Sequence, residues 1–208
     1  MKRLAIVLVS CLFINVVFAE SLATLPENLT INPTKNYRAT VESSSNNDVL
    51  SHLTLIHTNG QVNYVYTDSN NQQKITFTIE QHFGETDGFL FQIFDENQTL
   101  IGKLALSNTS NIYFKGFALY SPDEDISRIL KGQANPLIME PVQMFSNTFK
   151  VYNKEKRILA TLSGRAGRVE VKLNKNHLAN EAFFINNPEN LDLLLAVFAM
   201  QSLESILS

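Results

Sequence analysis

From Tyr37 onward, apolar and polar residues alternate with a period of two over most of the chain. Tyr37, Ala39 and Val41 alternate with Arg38, Thr40 and Glu42; Ile75, Phe77 and Ile79 with Lys74, Thr76, Thr78 and Glu80; Val169, Val171 and Leu173 with Arg168, Glu170 and Lys172. Successive side chains of a strand point to opposite faces, so each run predicts a strand with one wet and one dry side. Asn59-Gly60 separates His52–Thr58 from Gln61–Thr67. This dipeptide suits a type I′ turn, whose central residues both need positive φ, and it predicts a hairpin. Asp68-Ser69-Asn70-Asn71 reads as the next turn. Further strands are expected at Gly88–Phe94, Leu100–Leu106, Ile112–Leu119, Leu137–Met144, Thr148–Tyr152, Ile158–Leu162 and Ala182–Ile185. About eleven or twelve short strands at this spacing indicate a barrel or a sandwich.

A shift of 58 residues lays Phe91, Ile93, Phe94 and Asp95 on Phe149, Val151, Tyr152 and Asn153. Without a gap it also lays Leu100, Ile101, Gly102 and Leu104 on Ile158, Leu159, Ala160 and Leu162. Each copy reads strand, polar turn, strand, a faint internal repeat.

Two segments carry a helical signal. Ser121 and Glu124 form a capping box around Pro122, with Ile126, Ile129 and Leu130 on one face and Gly132 as the stop. In that reading Asp123, Glu124 and Asp125 answer the positive end of the helix, since the alternating ligands and glycine of a calcium loop are missing. The second helix is expected over 188–207, capped by Asn187 and started by Pro188. Leu193 to Met200 has no polar residue over two turns, so no side of that stretch suits water. Eight residues are far short of the roughly 20 that span a bilayer. The fold expected is therefore mostly β, an antiparallel barrel of about eleven or twelve strands enclosing a hydrophobic C-terminal helix.

The first residues change the picture of compartment. Met1-Lys2-Arg3 is basic, Leu4 to Phe18 is largely apolar, and Val17-Phe18-Ala19 fits a cleavage site. The reading is a cleavable secretory signal over 1–19, an irregular lead-in over 20–36, and one domain over 37–208. Retention as an anchor and lipidation at Cys11, within Leu8-Val9-Ser10-Cys11, are the alternatives. An exported protein in a periplasmic or extracellular space is expected. Cys11 is the single cysteine of the 208 residues, so the mature chain would have no disulfide and no thiolate chemistry.

Candidate chemistry is sparse. His52 and His57 are five apart and would point to opposite faces of a strand, which argues against a shared metal. No Gly-x-Ser-x-Gly, His-Glu-x-x-His or phosphate-loop pattern occurs, so no catalytic residue, metal or cofactor is expected. Charge is more telling. Between Arg128 and Lys175 ten basic residues stand against three acidic ones, while the chain as a whole has a net charge of −3. A polarised surface steers anionic partners. Ser163-Gly164-Arg165-Ala166-Gly167-Arg168 is the loop that could cradle an anion, with two glycines to bend the backbone and two arginines to fork onto phosphate. The expected headgroup-binding residues are Lys150, Lys156, Arg157, Arg165 and Arg168. Asn28-Leu29-Thr30, Asn97-Gln98-Thr99 and Asn108-Thr109-Ser110 are glycosylation acceptors in a eukaryotic host alone.

The hairpins Phe91-Gln-Ile-Phe-Asp-Glu-Asn and Phe149-Lys-Val-Tyr-Asn-Lys-Glu, followed by Asn190-Leu-Asp-Leu-Leu-Leu-Ala-Val-Phe-Ala-Met, resemble the tubby-like fold. That fold is shared by tubby C-terminal domains, phospholipid scramblases and LURP-one-related proteins. The resemblance covers Tyr37 to Ser208 and implies a barrel around a central helix. The scramblases' acylated cysteine cluster, proline-rich leader and acidic calcium segment have no counterpart here, and an export signal is unlike the cytosolic members. The phosphoinositide binding of tubby proteins is therefore not carried over. The function expected is an exported, monomeric, non-enzymatic binding or scaffold domain that contacts anionic membrane lipids and no nucleic acid. The alternatives are a lipocalin-like carrier of a small apolar ligand and a hydrolase built on a carboxylate pair.

Overall fold

The alternating segments fold as a meander. Each strand pairs antiparallel with the next, and the last returns to pair with the first. The computed structural model describes residues 21–34, 36–58, 60–83, 88–107, 116–140, 148–165 and 167–207. In chain order the strands are β1 (Asn28–Thr34), β2 (Arg38–Ser43), β3 (Val49–Thr58), β4 (Gln61–Asp68), β5 (Gln73–Phe83) and β6 (Gly88–Asp95). They continue with β7 (Leu100–Ser107), β8 (Phe117–Tyr120), β9 (Ile138–Glu140), β10 (Thr148–Asn153), β11 (Ile158–Arg165) and β12 (Arg168–Leu173). The pairing Leu29↔Val171 and Ile31↔Val169 closes the cylinder. A closed sheet has no edge on which another chain could add a strand. The expected leader 1–19 with Cys11, the expected acceptor Asn108, and the parts of two expected strands at 112–115 and 141–144 lie outside the described residues.

Leu29 and Ile31, Ala39 and Val41, Tyr64 and Tyr66, Ile75 and Phe77, and Phe91 and Ile93 all face the interior and are buried. Into that interior runs the helix Asn190–Leu207. Leu194 is 2% exposed and Phe198 0%, and every residue from Leu193 to Met200 is buried. The helix packs on β1, β2, β3 and β5. Phe198 meets Phe117 of β8 at 6.2 Å between ring centroids, and Gln201 bonds Glu140 of β9. Contacts on strands all round the wall show the helix enclosed. Each large apolar side chain so buried contributes about 1.5–3 kcal/mol.

Successive strands alternate in direction, so the connections sort to two ends. The β4–β5, β6–β7, β8–β9 and β10–β11 connections share the end through which the helix enters, called the upper end here; β1–β2, β3–β4 and β11–β12 turn at the lower end. Three upper turns share one design. Asp68 and Asp95 each accept backbone N–H groups from the residues two and four positions on, and Asn153 accepts that of Arg157, four positions on. In each the fourth residue adopts the left-handed conformation: Asn71 at φ 60°, Gln98 at 62° and Lys156 at 62°. The 58-residue repeat is thus a repeat of turn geometry, and β4–β5 adds a third copy. At the lower end Thr58 pairs with Gln61 around Gly60 at φ +80°. That matches the expected two-residue hairpin, although Asn59 itself lies outside the described residues.

Four local expectations need correction. The lead-in 20–36 is not irregular throughout: Asn28–Thr34 forms β1, and Leu22 in a helical turn over 21–24 joins the main core. The alternation there is only Leu29 and Ile31 before Pro33 interrupts it, too short to stand out. Ala182–Asn186 is helical rather than a strand, since a four-residue apolar run fits either state. The short helix spans Ile126–Leu130 with Asp125 as its cap, accepting from Ser127 N; Ser121 bonds Asp123 instead, so the expected capping box does not form. Gly132, at φ +66°, does stop it. Tyr37, expected on the dry side, is 51% exposed in the β1–β2 turn at φ 58°.

The short helix lies outside the barrel. Leu90, Tyr120 and Ile129 form a second core with Ala105 and Ala118 beneath. Lys103 is buried at its margin, donating to the carbonyls of Pro122 and Glu124.

Candidate functional site

Part of the basic section of the sequence, Lys150, Arg168 and Lys172, lies on the outer face of β10 and β12. On β10, Phe149 and Val151 point inward, so Lys150 points out. The register places Lys150 beside Thr161, Thr161 beside Lys172, and Lys172 beside Asn28 of β1. This row crosses four strands, and neighbouring strands lie about 4.8 Å apart, so Lys150 and Lys172 stand about 10 Å from each other. A second row runs Thr148, Ser163, Glu170 and Thr30. At the lower end Arg165 pairs in register with Arg168; the side chain of Arg165 lies outside the described residues.

The five residues expected to bind headgroups therefore divide. Lys150 and Arg168 belong to this face, and Arg165 is known by its backbone pairing with Arg168. Lys156 and Arg157 sit in the β10–β11 turn at the upper end, the length of β11 away from Arg165 and Arg168. Eight residues of strand separate the two groups by about 25 Å. Sequence reasoning overlooked Lys172, Thr161 and Asn28. Lys172 was visible as an outward position in an alternating run, but only the closing β1–β12 register brings Asn28 to it.

Two open grooves mark the same face. One, of about 600 Å³, is lined by Asn28, Thr30, Ser44, Ser163, Arg168 and Lys172 among others. The other, of about 480 Å³, is lined by Glu27, Thr161, Lys172, Asn174, Lys175 and Asn176 among others. Two cations here have carboxylate neighbours: Lys172 Nζ lies 3.6 Å from Glu27, and Arg168 lies 3.4 Å from Glu170. Both pairs are well exposed, and such pairs are weak.

Carboxylates gather elsewhere, at the upper mouth where the central helix enters. Asp95, Glu96, Glu189 and Asp192 line a hollow of about 130 Å³ around Lys74, which lies 3.7 Å from Glu96 and 4.0 Å from Asp68. Burial pushes the Asp192 carboxyl above its usual range, and Lys74 opposes that shift. The hollow is smaller than the roughly 300–1,000 Å³ of ligand pockets, and its organising group is a lysine. Deeper inside, the hydroxyls of Ser51 and Tyr66 are buried without a hydrogen bond of regular geometry. Burial raises the Tyr66 phenol further above its ordinary range. Glu140 faces the central helix, 2% exposed, and burial pushes its carboxyl up to about 8 against the smaller opposing effect of Gln201.

His52 and His57 fall on opposite sides of β3 by strand alternation. His52 sits beside Thr40, with its pKa lowered by burial and by Arg38. Among the described residues no group of His, Cys, Asp or Glu is placed to hold a metal ion, and no helix is long and apolar enough to cross a membrane.

No family model and no curated protein matches the chain. Among solved structures, an X-ray structure of a protein from Arabidopsis thaliana is similar at a TM-score of 0.46 and 12% identity, covering 78% of this chain and 91% of that one. A likeness at that level carries no argument.

Proposed function

We propose that this protein is an exported, non-enzymatic binding or scaffold domain of tubby-like architecture. Its outer face over β10, β11 and β12 meets anionic lipid headgroups. The observation that carries the reading is the row Lys150, Thr161, Lys172, with Arg168 below it. This is a cationic surface on rigid strands. A lysine or arginine at an anionic membrane surface contributes about 1 kcal/mol, so a few of them give reversible binding. The interior supports the same reading. A carrier of apolar ligands needs an empty barrel, whereas the helix Asn190–Leu207 occupies this one with buried side chains. Recognition is then left to the outside.

Flotation of the chain from residue 20 onward with vesicles tests it. Vesicles containing phosphatidylglycerol should carry the protein upward at low salt and release it as salt rises, and neutral vesicles should not. Absence of binding to the anionic vesicles at low salt removes the lipid reading.

A further inference from the structure

We infer that the headgroup this face takes is an acidic sugar, a saccharide unit bearing carboxylate or phosphate; the inference rests on the proposed function above. Its basis is the floor of the two grooves. They share Thr161 and Lys172 and so adjoin on β12, and together they are called the trough. From Arg168 to Leu173 the strand beneath the trough runs about 17 Å at about 3.3 Å per residue, and Lys175 opens the helical turn beyond it. The trough's cations are Arg168, Lys172 and Lys175, the last also donating to the carbonyl of Ala23 at 3.2 Å. A surface that reads charge alone needs nothing more. Between these cations, however, lie the hydroxyls of Thr161, Ser163, Thr30 and Ser44 and the carboxamide of Asn28; the carboxamide of Asn174 is held by the backbone N–H and the ring of His177. Hydroxyls and carboxamides both donate and accept hydrogen bonds, and that dual capacity matches a ligand rich in hydroxyl groups. Among the described residues that line either groove there is no aromatic ring, so these offer no stacking platform of the kind a nucleobase would use.

The trough also contains acids where an acidic ligand would place its own. Glu27 faces Lys172, and Glu170 faces Arg168. Exposed pairs of this kind are weak and salt-sensitive. An incoming carboxylate or phosphate can take the lysine from Glu27 while the neighbouring hydroxyls engage the sugar ring. Lys172, common to both halves, is the pivot of the site.

The same chemistry could be presented by a glycolipid or by a free saccharide, and the test separates them. The chain from residue 20 is titrated calorimetrically with a uronic-acid oligosaccharide, with the same oligosaccharide reduced at its carboxyls, and with inorganic phosphate. In parallel it is floated with vesicles bearing an acidic glycolipid or, at equal charge, phosphatidylglycerol. The acidic oligosaccharide should bind and the neutral one should not. Lys172→Gln should weaken binding about tenfold or more, as loss of a charge-assisted bond does. Lys156→Gln, off the trough, should change nothing. Glycolipid vesicles should bind more tightly than phosphatidylglycerol ones. Binding of phosphate as tight as that of the oligosaccharide, or an unaffected Lys172→Gln, overturns the inference. If phosphatidylglycerol vesicles bind and the sugar does not, this inference falls while the lipid reading stands. Sugar binding without vesicle binding has the opposite meaning. If neither ligand binds, both readings fall.

Discussion

Gln201 donates its side-chain N–H to Glu140 across 2.9 Å, joining the central helix to β9 inside the barrel. The carboxyl of Glu140 has lost its water, and its pKa lies near 8 instead of the ordinary 4.5. It therefore keeps its proton in the folded protein well above the pH at which the unfolded chain gives it up.

That difference sets a direction for stability. Between pH 4.5 and 8 the folded state binds more protons at this position than the unfolded state, so stability falls as pH rises and the loss is complete above pH 8. Glu140→Gln removes this slope. Urea unfolding should show the variant gaining on the parent by on the order of 2–4 kcal/mol between pH 4.5 and pH 8. Parallel pH profiles for the two proteins would show that Glu140 is not buried as described.

The upper turns allow a second comparison. Asp95 and Asn153 accept backbone N–H groups in the same way, but Asn153 also donates to the buried carboxylate of Glu181. An aspartate there would keep the turn and lose the donor. Asn153→Asp should cost about 3 kcal/mol at neutral pH, because it sets two carboxylates together out of water. The cost should shrink in acid. Asp95→Asn, which keeps its acceptor in an exposed turn, should stay within about 1 kcal/mol.

Gln98 and Lys156 occupy the left-handed region at φ 62° with ordinary side chains. That conformation costs an L-residue about 1–2 kcal/mol, and glycine returns about half of the relief as unfolded-state freedom. Gln98→Gly or Lys156→Gly should therefore stabilise by about 0.5 kcal/mol, a rise of about 1–2 °C in Tm by calorimetry. A fall in Tm for both would mean that the turns are held differently.

Lys103 fixes the loop before the outer helix through the carbonyls of Pro122 and Glu124. Lys103→Met leaves those carbonyls without their donor and should cost about 1–3 kcal/mol. Hydrogen exchange should show the effect confined to Ile126–Leu130, with the amides of β1 to β5 unchanged.

How much of this could be read from residues alone depends on the range of the interaction concerned. The helix was legible because Leu193 to Met200 admits no wet side, and the structure gives it none. The β3–β4 hairpin and the repeated turns were legible because Asn-Gly and Asp95/Asn153 act on their own neighbours. β1 was not, because Leu29 and Ile31 gain their significance from Val171 and Val169, some 140 residues away. The basic residues failed to gather for the same reason. Arg157 and Arg165 are close in sequence, but they lie at opposite ends of one strand. Nearness along an extended chain is distance in space.

The order of elements has a consequence for when the protein can fold. Twelve strands precede the helix that fills them, so while synthesis is incomplete the wall residues Tyr66, Phe77 and Phe91 have nothing to close upon. A nascent chain stopped before Asn190 possesses a sheet but no centre. Synthesis of that helix thus becomes the signal for collapse, and fragments that lack it keep their apolar wall open to a protease.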